Sequence, residues 1–505
     1  MKRIAQGDLL RRMKLNRKRL KSAFYRAPKI FEQSPTWPGD WQGRCILALT
    51  SLYFAFAGYP KEQESVKKQL DTIFQELPSH LNEDGYFGKR FDGTTLDEQQ
   101  VSGNSWYLRG IIEWYQITKS PDVLEMIKKM LENFVLHIAP FYQHYPLTPR
   151  HDGGVGGHEE EHVEDGWRLS SDIGCAFIML DAMSEAYYLL HWESLKEVVA
   201  SVIDAFEKID FVKLKCQTHA TLSCARGILT FYRATGEKRY LELSKKIFAD
   251  YQEKGMTFDY SNINWFGRPN TWTEPCCIVD SLVLAGQLFE DTGDTSYAQL
   301  FNRIYLNAFR LAQRGNGGAG CNTCLFGDSN SIKGFLYEAY FCCTMRFAEG
   351  LRFAKKYSAS WRKGKLYLLL PQEGEFLIND TKISIEGDLY VDERMEVRIE
   401  NFEQPFDIYL YVPSSLSCDS SNEDVKREEN FLRFHVTKNG IFSFKFQLEI
   451  QEVGKKKFVG DRLLVKRKEA YGDTRFDWCG EAYYYVLDYS RIKKESEAMS
   501  IVQTL

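Results

Sequence analysis

Between about Gly39 and Lys356, apolar residues recur at three- and four-residue spacing almost without a break, as in Ile203, Phe206 and Ile209. That period belongs to helices with one buried face. It predicts helices over roughly 40–58, 63–78, 100–118, 121–138, 170–190, 193–207, 215–234, 238–253, 275–291, 295–313 and 334–356. A basic stretch at 5–26 brings the number to about twelve. After about Ser358 the period changes to two. Phe406, Ile408, Leu410 and Val412 alternate with Asp407, Tyr409 and Tyr411, and Phe444, Phe446, Leu448 and Ile450 repeat the pattern. Shorter alternations occur at Lys365–Leu370, Ile383–Ile385 and Met395–Ile399. Asn439-Gly440, between Phe431–Val436 and Ile441–Ile450, predicts a hairpin.

The helical part carries a weak internal repeat. Tyr115 to Pro121, Tyr232 to Glu237 and Phe289 to Asp294 resemble one another, each between two helices and two of them with a Thr-Gly pair. A Gly just past a helix suits a left-handed cap, and the polar residue beyond it can start the next helix. Helical hairpins that cannot bury their faces singly must stack on one another. Twelve helices in six such hairpins predict a mainly α chain with a β domain: an (α/α)6 toroid followed by a C-terminal β-sandwich. The expected boundaries are 1–357 for the toroid, 358–455 for the sandwich and 456–505 for a C-terminal extension. Leu463–Val465 and Tyr483–Val486 are candidates for added strands in that extension, and Lys493–Leu505 reads as a frayed tail.

Composition narrows the function classes. The 505 residues are 44% hydrophobic and 14% aromatic, a globular composition, and 65 basic against 69 acidic residues leave a net charge of -4. Nothing in that balance favours nucleic acid as a partner. The basic run from Arg11 to Lys21 reads as a solvated helix face in preference to a membrane or RNA contact. No apolar stretch approaches the ~18 residues of a membrane span, so a soluble, cytoplasmic protein without a membrane partner is expected. The loops between the helical hairpins are rich in Gly, aromatics and charge. They include Asp84–Gly88, the run from His151 to Trp167, Asn264–Pro269 and Arg314–Gly318. Long loops of this kind are usually functional. Aromatics on one rim of a helical ring suggest a carbohydrate cleft, which makes Trp265 and Arg268 candidate substrate-binding residues.

Twelve cysteines in a chain without a secretion signal point to metal binding or catalysis before a disulfide framework. Cys45, Cys175, Cys216 and Cys224 lie in apolar helical patterns and read as core. Thr273-Glu274-Pro275-Cys276-Cys277 and Phe341-Cys342-Cys343-Thr344 each bring soft ligands together. One Glu and three Cys make a tetrahedral set that suits zinc, although free Cys also simply packs. Pro275 fits the first position of a helix, which makes Glu274 its cap and lets Glu274 and Cys276 chelate one ion. Adjacent Cys342 and Cys343 point about 100° apart on a regular helix. They share one ion only if the backbone is irregular there or the helix starts there. Cys277 faces the core, and Cys321-x-x-Cys324 reads as a loop near the cleft without a metal.

Glu274-x-Cys276 followed by Cys342-Cys343 resembles the zinc site of glycoside hydrolase family 127, the β-L-arabinofuranosidase-like family. Trp37-Pro38-Gly39, Asp84–Gly88, the Thr-Gly repeats and Thr218-His219-Ala220-Thr221 are similar to further blocks of the family in the same order. The resemblance implies an (α/α)6 barrel with β-sandwich material. It implies zinc held by Glu274, Cys276, Cys342 and Cys343, and retaining hydrolysis with Cys342 as the nucleophile. His219 would hydrogen-bond a sugar hydroxyl. Two departures mark a divergent branch. Where the family has its general acid/base Glu, three residues before the position of Thr257, this chain has Lys254, and Thr344-Met345-Arg346 replaces the usual residues after the Cys pair. Glu338, four residues before Cys342, becomes the first candidate acid if one helix carries both, with Asp259 and Glu253 behind it. Two other readings remain open: a sugar epimerase or lyase on the same toroid, and a non-catalytic carbohydrate-binding protein with structural zinc.

Overall fold

In the computed structural model, residues 1–33, 36–148, 158–269, 271–326, 332–422, 424–467 and 499–500 are described. Cys479, Tyr483–Val486 and most of Lys493–Leu505 lie outside them, as do 151–157 of the Gly-rich run. The helices that organise the molecule are α1 (Gly7–Leu20), α2 (Asp40–Ala55), α3 (Pro60–Glu76), α4 (Glu98–Thr118), α5 (Pro121–Met130) and α6 (Met179–Leu190). They continue with α7 (Glu193–Phe206), α8 (Thr218–Thr235), α9 (Lys238–Lys254), α10 (Pro275–Thr292), α11 (Thr295–Ile304) and α12 (Cys343–Tyr357).

Two kinds of helix are present, and the apolar pattern explains the difference. On α3 the buried residues are Val66, Leu70 and Ile73, and on α5 Val123, Ile127 and Met130, a single stripe at helical spacing. Helices α2, α8 and α10 are buried on nearly every side. A helix of that kind must be enclosed by others. Accordingly α2 packs on α4, α4 on α6, α6 on α8, α8 on α10, α10 on α12, and α12 returns to α2. The striped helices lie against this closed set: α1 on α12, α3 on α2, α5 on α4, α7 on α6, α9 on α8 and α11 on α10.

The repeated link between helices has a common geometry. Lys119, Gly236 and Gly293 take left-handed conformations, and their N–H groups bond the carbonyls of Tyr115, Tyr232 and Phe289. A fourth copy ends α6, where His191 is left-handed and bonds Tyr187. It lacks the glycine signal and escapes the sequence pattern.

Gly43 shows how closely the enclosed helices approach. A Cβ there would lie 2.1 Å from the Tyr107 backbone nitrogen on α4. Backbone cannot yield as a side chain can, so Gly43→Ala is predicted to destabilise the fold by about 3 kcal/mol. A denaturation midpoint equal to wild type would contradict this packing.

Beyond Tyr357 the described residues are β. One sheet orders Lys2–Ala5, Gly374–Ile378, Thr381–Glu386, Arg394–Glu400, Gly440–Gln447 and Ser417–Ser420. Another orders Lys426–Glu428, Phe431–Val436, Phe406–Tyr411, Lys365–Leu368 and Ala359–Arg362. Met395, Val397 and Ile399 are buried in alternation, as a period of two requires. Phe434 of the second sheet meets Phe442 of the first with ring centroids 4.4 Å apart. The strands Ile450–Val453, Lys456–Val459 and Arg462–Arg467 belong to a separate sheet.

Three expectations are overturned. Asn439-Gly440 is not a hairpin: the strand before it pairs with Phe406–Tyr411 and the strand after it with Arg394–Glu400, so it carries the chain from one sheet to the other. Neither residue has the positive φ that a two-residue I′ turn demands, and the Asn439 side chain accepts from the Phe402 N–H. The helix expected over 334–356 starts at Cys343, because Phe335–Glu338 is a strand paired with Gly320–Thr323. The basic stretch on α1 is only half solvated. Arg12 and Arg17 are buried, with Arg12 bonding Asp8 and Arg17 bonding Gln69 and Ser65. Among the described residues no helix is long and apolar enough to cross a membrane.

Candidate functional site

The six enclosed helices bring their N-terminal ends to one cavity of about 650 Å³. Asp40 and Arg44 reach it from α2, Ser102 from α4, Asp172 and Cys175 from the segment before α6. Gln217 and His219 line it at the start of α8, Glu274 at α10, and Cys342 and Cys343 at α12. Helix N-termini present free N–H groups and a partial positive charge, which favours anionic side chains there.

Glu274 caps α10 in extended conformation, with Pro275 opening the helix and the Glu274 N–H bonded to Asn262 Oδ1 at 2.9 Å. Cys342 caps α12 with φ -142° and ψ -65°, off the helical path, and Cys343 opens the helix. The break resolves the geometric problem of two adjacent cysteines: their sulfurs converge, 3.3 Å apart, and Cys343 lies 3.4 Å from Cys276 Sγ. The four ligand atoms of Glu274, Cys276, Cys342 and Cys343 all fall within 4.8 Å of one another. Cys277 is buried outside this set. Burial pushes the Cys276 and Cys343 thiols well above the ordinary cysteine range, and burial followed by Asp172 pushes Glu274 up to about 8. Left to themselves these groups would be neutral. A compact set of three sulfurs and one carboxylate that cannot easily carry its own charge could hold a metal ion, whose charge ionises its ligands.

Around the cluster lies a layer that the sequence did not announce. Arg44 is held by both oxygens of Asp40 and points a guanidinium nitrogen at Cys276 Sγ, 3.6 Å away. Arg44 and Arg346 both pack on the Trp106 ring, with guanidinium carbons 4.1 and 4.6 Å from its centroid. His219 stacks on the same ring. Its Nδ1 is 2.7 Å from Asp280, and its Nε2 has no hydrogen-bond partner among the described residues. Burial holds the imidazole down to about 4 despite Asp280, so the ring is neutral near pH 7. Asp280 also accepts from Ser223, Arg226 and Arg346, and Glu349 pairs with both arginines. These ion pairs are wholly buried.

Trp265 is a buried wall of the cavity, and Arg268 lies over its ring at 4.5 Å without lining the cavity itself. Cys321 lines it too, whereas Cys324 bonds the Asn262 carbonyl. The geometry offered for Glu338 fails. It sits on a strand, not on the helix of Cys342, and its buried carboxylate accepts from Arg19 at 2.8 Å, Asn316 at 2.6 Å and Thr344 at 2.9 Å. It is absent from the cavity wall. Asp259 is buried against Thr257 and Ser261, and Glu253 is exposed on α9. Neither lines the cavity.

No family model matches the sequence, and no curated protein matches it. Solved structures do. A protein described as a glycoside hydrolase aligns at TM-score 0.65 and 12% identity, over 91% of this chain and 81% of its own. A GH127 β-L-arabinofuranosidase from Geobacillus stearothermophilus T6 aligns at TM-score 0.64 and 12% identity, over 92% and 86%. Another GH127 β-arabinofuranosidase aligns at TM-score 0.60 and 13% identity, over 90% and 79%. Over nine-tenths of its length, therefore, the chain has the fold of glycoside hydrolase family 127 structures.

Proposed function

We propose that the protein is a retaining glycoside hydrolase that cleaves a furanoside or related glycoside with Cys342 as its nucleophile and zinc at the Glu274–Cys276–Cys342–Cys343 set. The architecture is then an (α/α)6 toroid with a β-sandwich. The closed packing order of the enclosed helices and the contact of Phe434 with Phe442 support that description. The observation that carries the function is the convergence of three sulfurs and one carboxylate on the wall of a sugar-sized cavity. Four ligand atoms within 4.8 Å of one another are close enough to share one ion with bonds of about 2.3 Å to each sulfur. When bound, the metal keeps the thiols ionised near neutral pH.

The protein's own residues supply the rest. Cys342, half-buried and at the cavity surface, presents sulfur to an anomeric carbon. His219, with Nδ1 tied to Asp280, offers Nε2 as acceptor to a sugar hydroxyl. Trp265 gives an aromatic wall for the apolar face of the ring. The GH127 β-arabinofuranosidases of the same fold make L-arabinofuranosides the first substrates to test.

A panel of nitrophenyl furanosides and pyranosides should reveal one that the wild type turns over. Failure on every one would defeat the reading. Purified wild type is expected to hold close to one zinc per chain, and Cys276→Ala to hold far less while keeping its helical circular dichroism. Equal metal in both proteins would dismiss the ligand set.

A further inference from the structure

A glycosidase that expels an alkoxide needs a proton donor, and the three acids suggested by the sequence are absent from the cavity wall. Among the described residues, four acidic side chains line it: Glu32, Asp40, Asp172 and Glu274. Glu32 is committed to Lys29, Asp40 to both of its contacts with Arg44, and Glu274 to the sulfur cluster. Asp172 alone has a carboxylate that accepts no hydrogen bond and makes no ion pair among the described residues. Its backbone is nonetheless held. The Asp172 carbonyl accepts from Cys175 N at 3.0 Å, and the next carbonyl, of Ile173, accepts from Gln217 N at 2.9 Å. The side chain of the same Gln217 reaches Glu274 at 3.5 Å. A rigid segment thus sets an unengaged carboxylate beside the cluster that contains Cys342.

We propose that Asp172 is the general acid/base of this cleft. The proposal rests on the glycosidase reading. In the first step Cys342 sulfur bonds the anomeric carbon as the bond to the leaving oxygen breaks, and Asp172 gives that oxygen its proton. In the second, Asp172 takes a proton from water as the water oxygen bonds the anomeric carbon and the thiolate leaves. The surroundings suit both duties. Burial and Glu98 on α4 push the carboxyl up to about 7, against Arg44 on α2 and Arg268 from the loop before α10, with Asp40 also repelling its charge. From the start of α10 it faces Glu274.

The test uses the aryl glycoside that wild type cleaves and its methyl counterpart. Asp172→Asn is expected to slow the methyl glycoside by on the order of 10²- to 10⁴-fold and to lower kcat/KM of the nitrophenyl glycoside far less, since nitrophenolate leaves unaided in the first step, while its kcat falls because the second step lacks its base. Asp172→Ala with azide should recover turnover of the nitrophenyl substrate and yield a glycosyl azide. Melting temperature and metal content should match wild type in both variants. Equal slowing of both substrates without azide recovery, or no slowing of either, would overturn the assignment while leaving the glycosidase intact. If wild type cleaves no glycoside, the reading and the acid fall together.

Discussion

Cys342→Ala is expected to lower turnover of the cleaved aryl glycoside on the order of 10⁴- to 10⁶-fold, the scale of losing a nucleophile that works as part of a unit. Cys342 is the most exposed residue of the cluster and the one whose backbone leaves the helical path, and it lines the cavity, whereas Cys276 and Cys343 are fully buried. Loss of a nucleophile must be separated from loss of a metal ligand. Cys343→Ala removes a ligand and keeps the nucleophile, so comparing metal content and turnover of the two variants divides the effects. Wild type quenched during turnover should show a sugar-mass adduct on the peptide containing Cys342. Proton NMR of the first product should show the anomeric configuration of the substrate. Inverted product would exclude the covalent step and favour direct attack by water.

The second large effect lies beneath the cavity. Asp280→Asn is expected to destabilise the protein by about 3–5 kcal/mol, as for breaking a buried ion pair from one side. Arg226 and Arg346 would be left with Glu349 as their nearest anion, and His219 would lose the acceptor that orients it. Burial alone would raise the Asp280 carboxyl, but Arg346 and Arg226 hold it well below the ordinary range. A depressed carboxyl contributes its stability in full above about pH 4 and loses it on acidification. The difference between wild type and Asp280→Asn should therefore be largest near neutrality and shrink in acid. Urea midpoints measured across that range decide the matter. A difference below about 1 kcal/mol at pH 7 would mean that the buried charges are neutralised otherwise.

Much of this was legible in the chain itself. Helix positions follow from a period of 3.6, and strands from a period of two, because both are relations between residues a few positions apart. Tyr115 to Pro121, Tyr232 to Glu237 and Phe289 to Asp294 announced their capped links, since a left-handed residue after a helix is a local requirement. The Glu-x-Cys and Cys-Cys pairs were visible for the same reason: a chelating ligand set is partly built from near neighbours.

What escaped depends on residues far apart. Phe335–Glu338 reads as helix in isolation and becomes strand because Gly320–Thr323 lies beside it. Glu338 looked like an available acid until Arg19, distant in sequence, took its carboxylate. Asn439-Gly440 has the composition of a hairpin, yet burying Phe434 against Phe442 sends its two strands to different sheets. Asp172 carries no motif at all. Its place beside the cluster arises only because the enclosed helices close on themselves and turn their N-terminal ends to one cavity. Local pattern thus determined most of the helices and strands, and the short spacing of Glu274 with Cys276 and of Cys342 with Cys343. Long-range pairing decided which carboxylates are consumed by ion pairs and which one on the cavity wall is left without one, because a charge in a protein interior takes whatever partner the fold delivers.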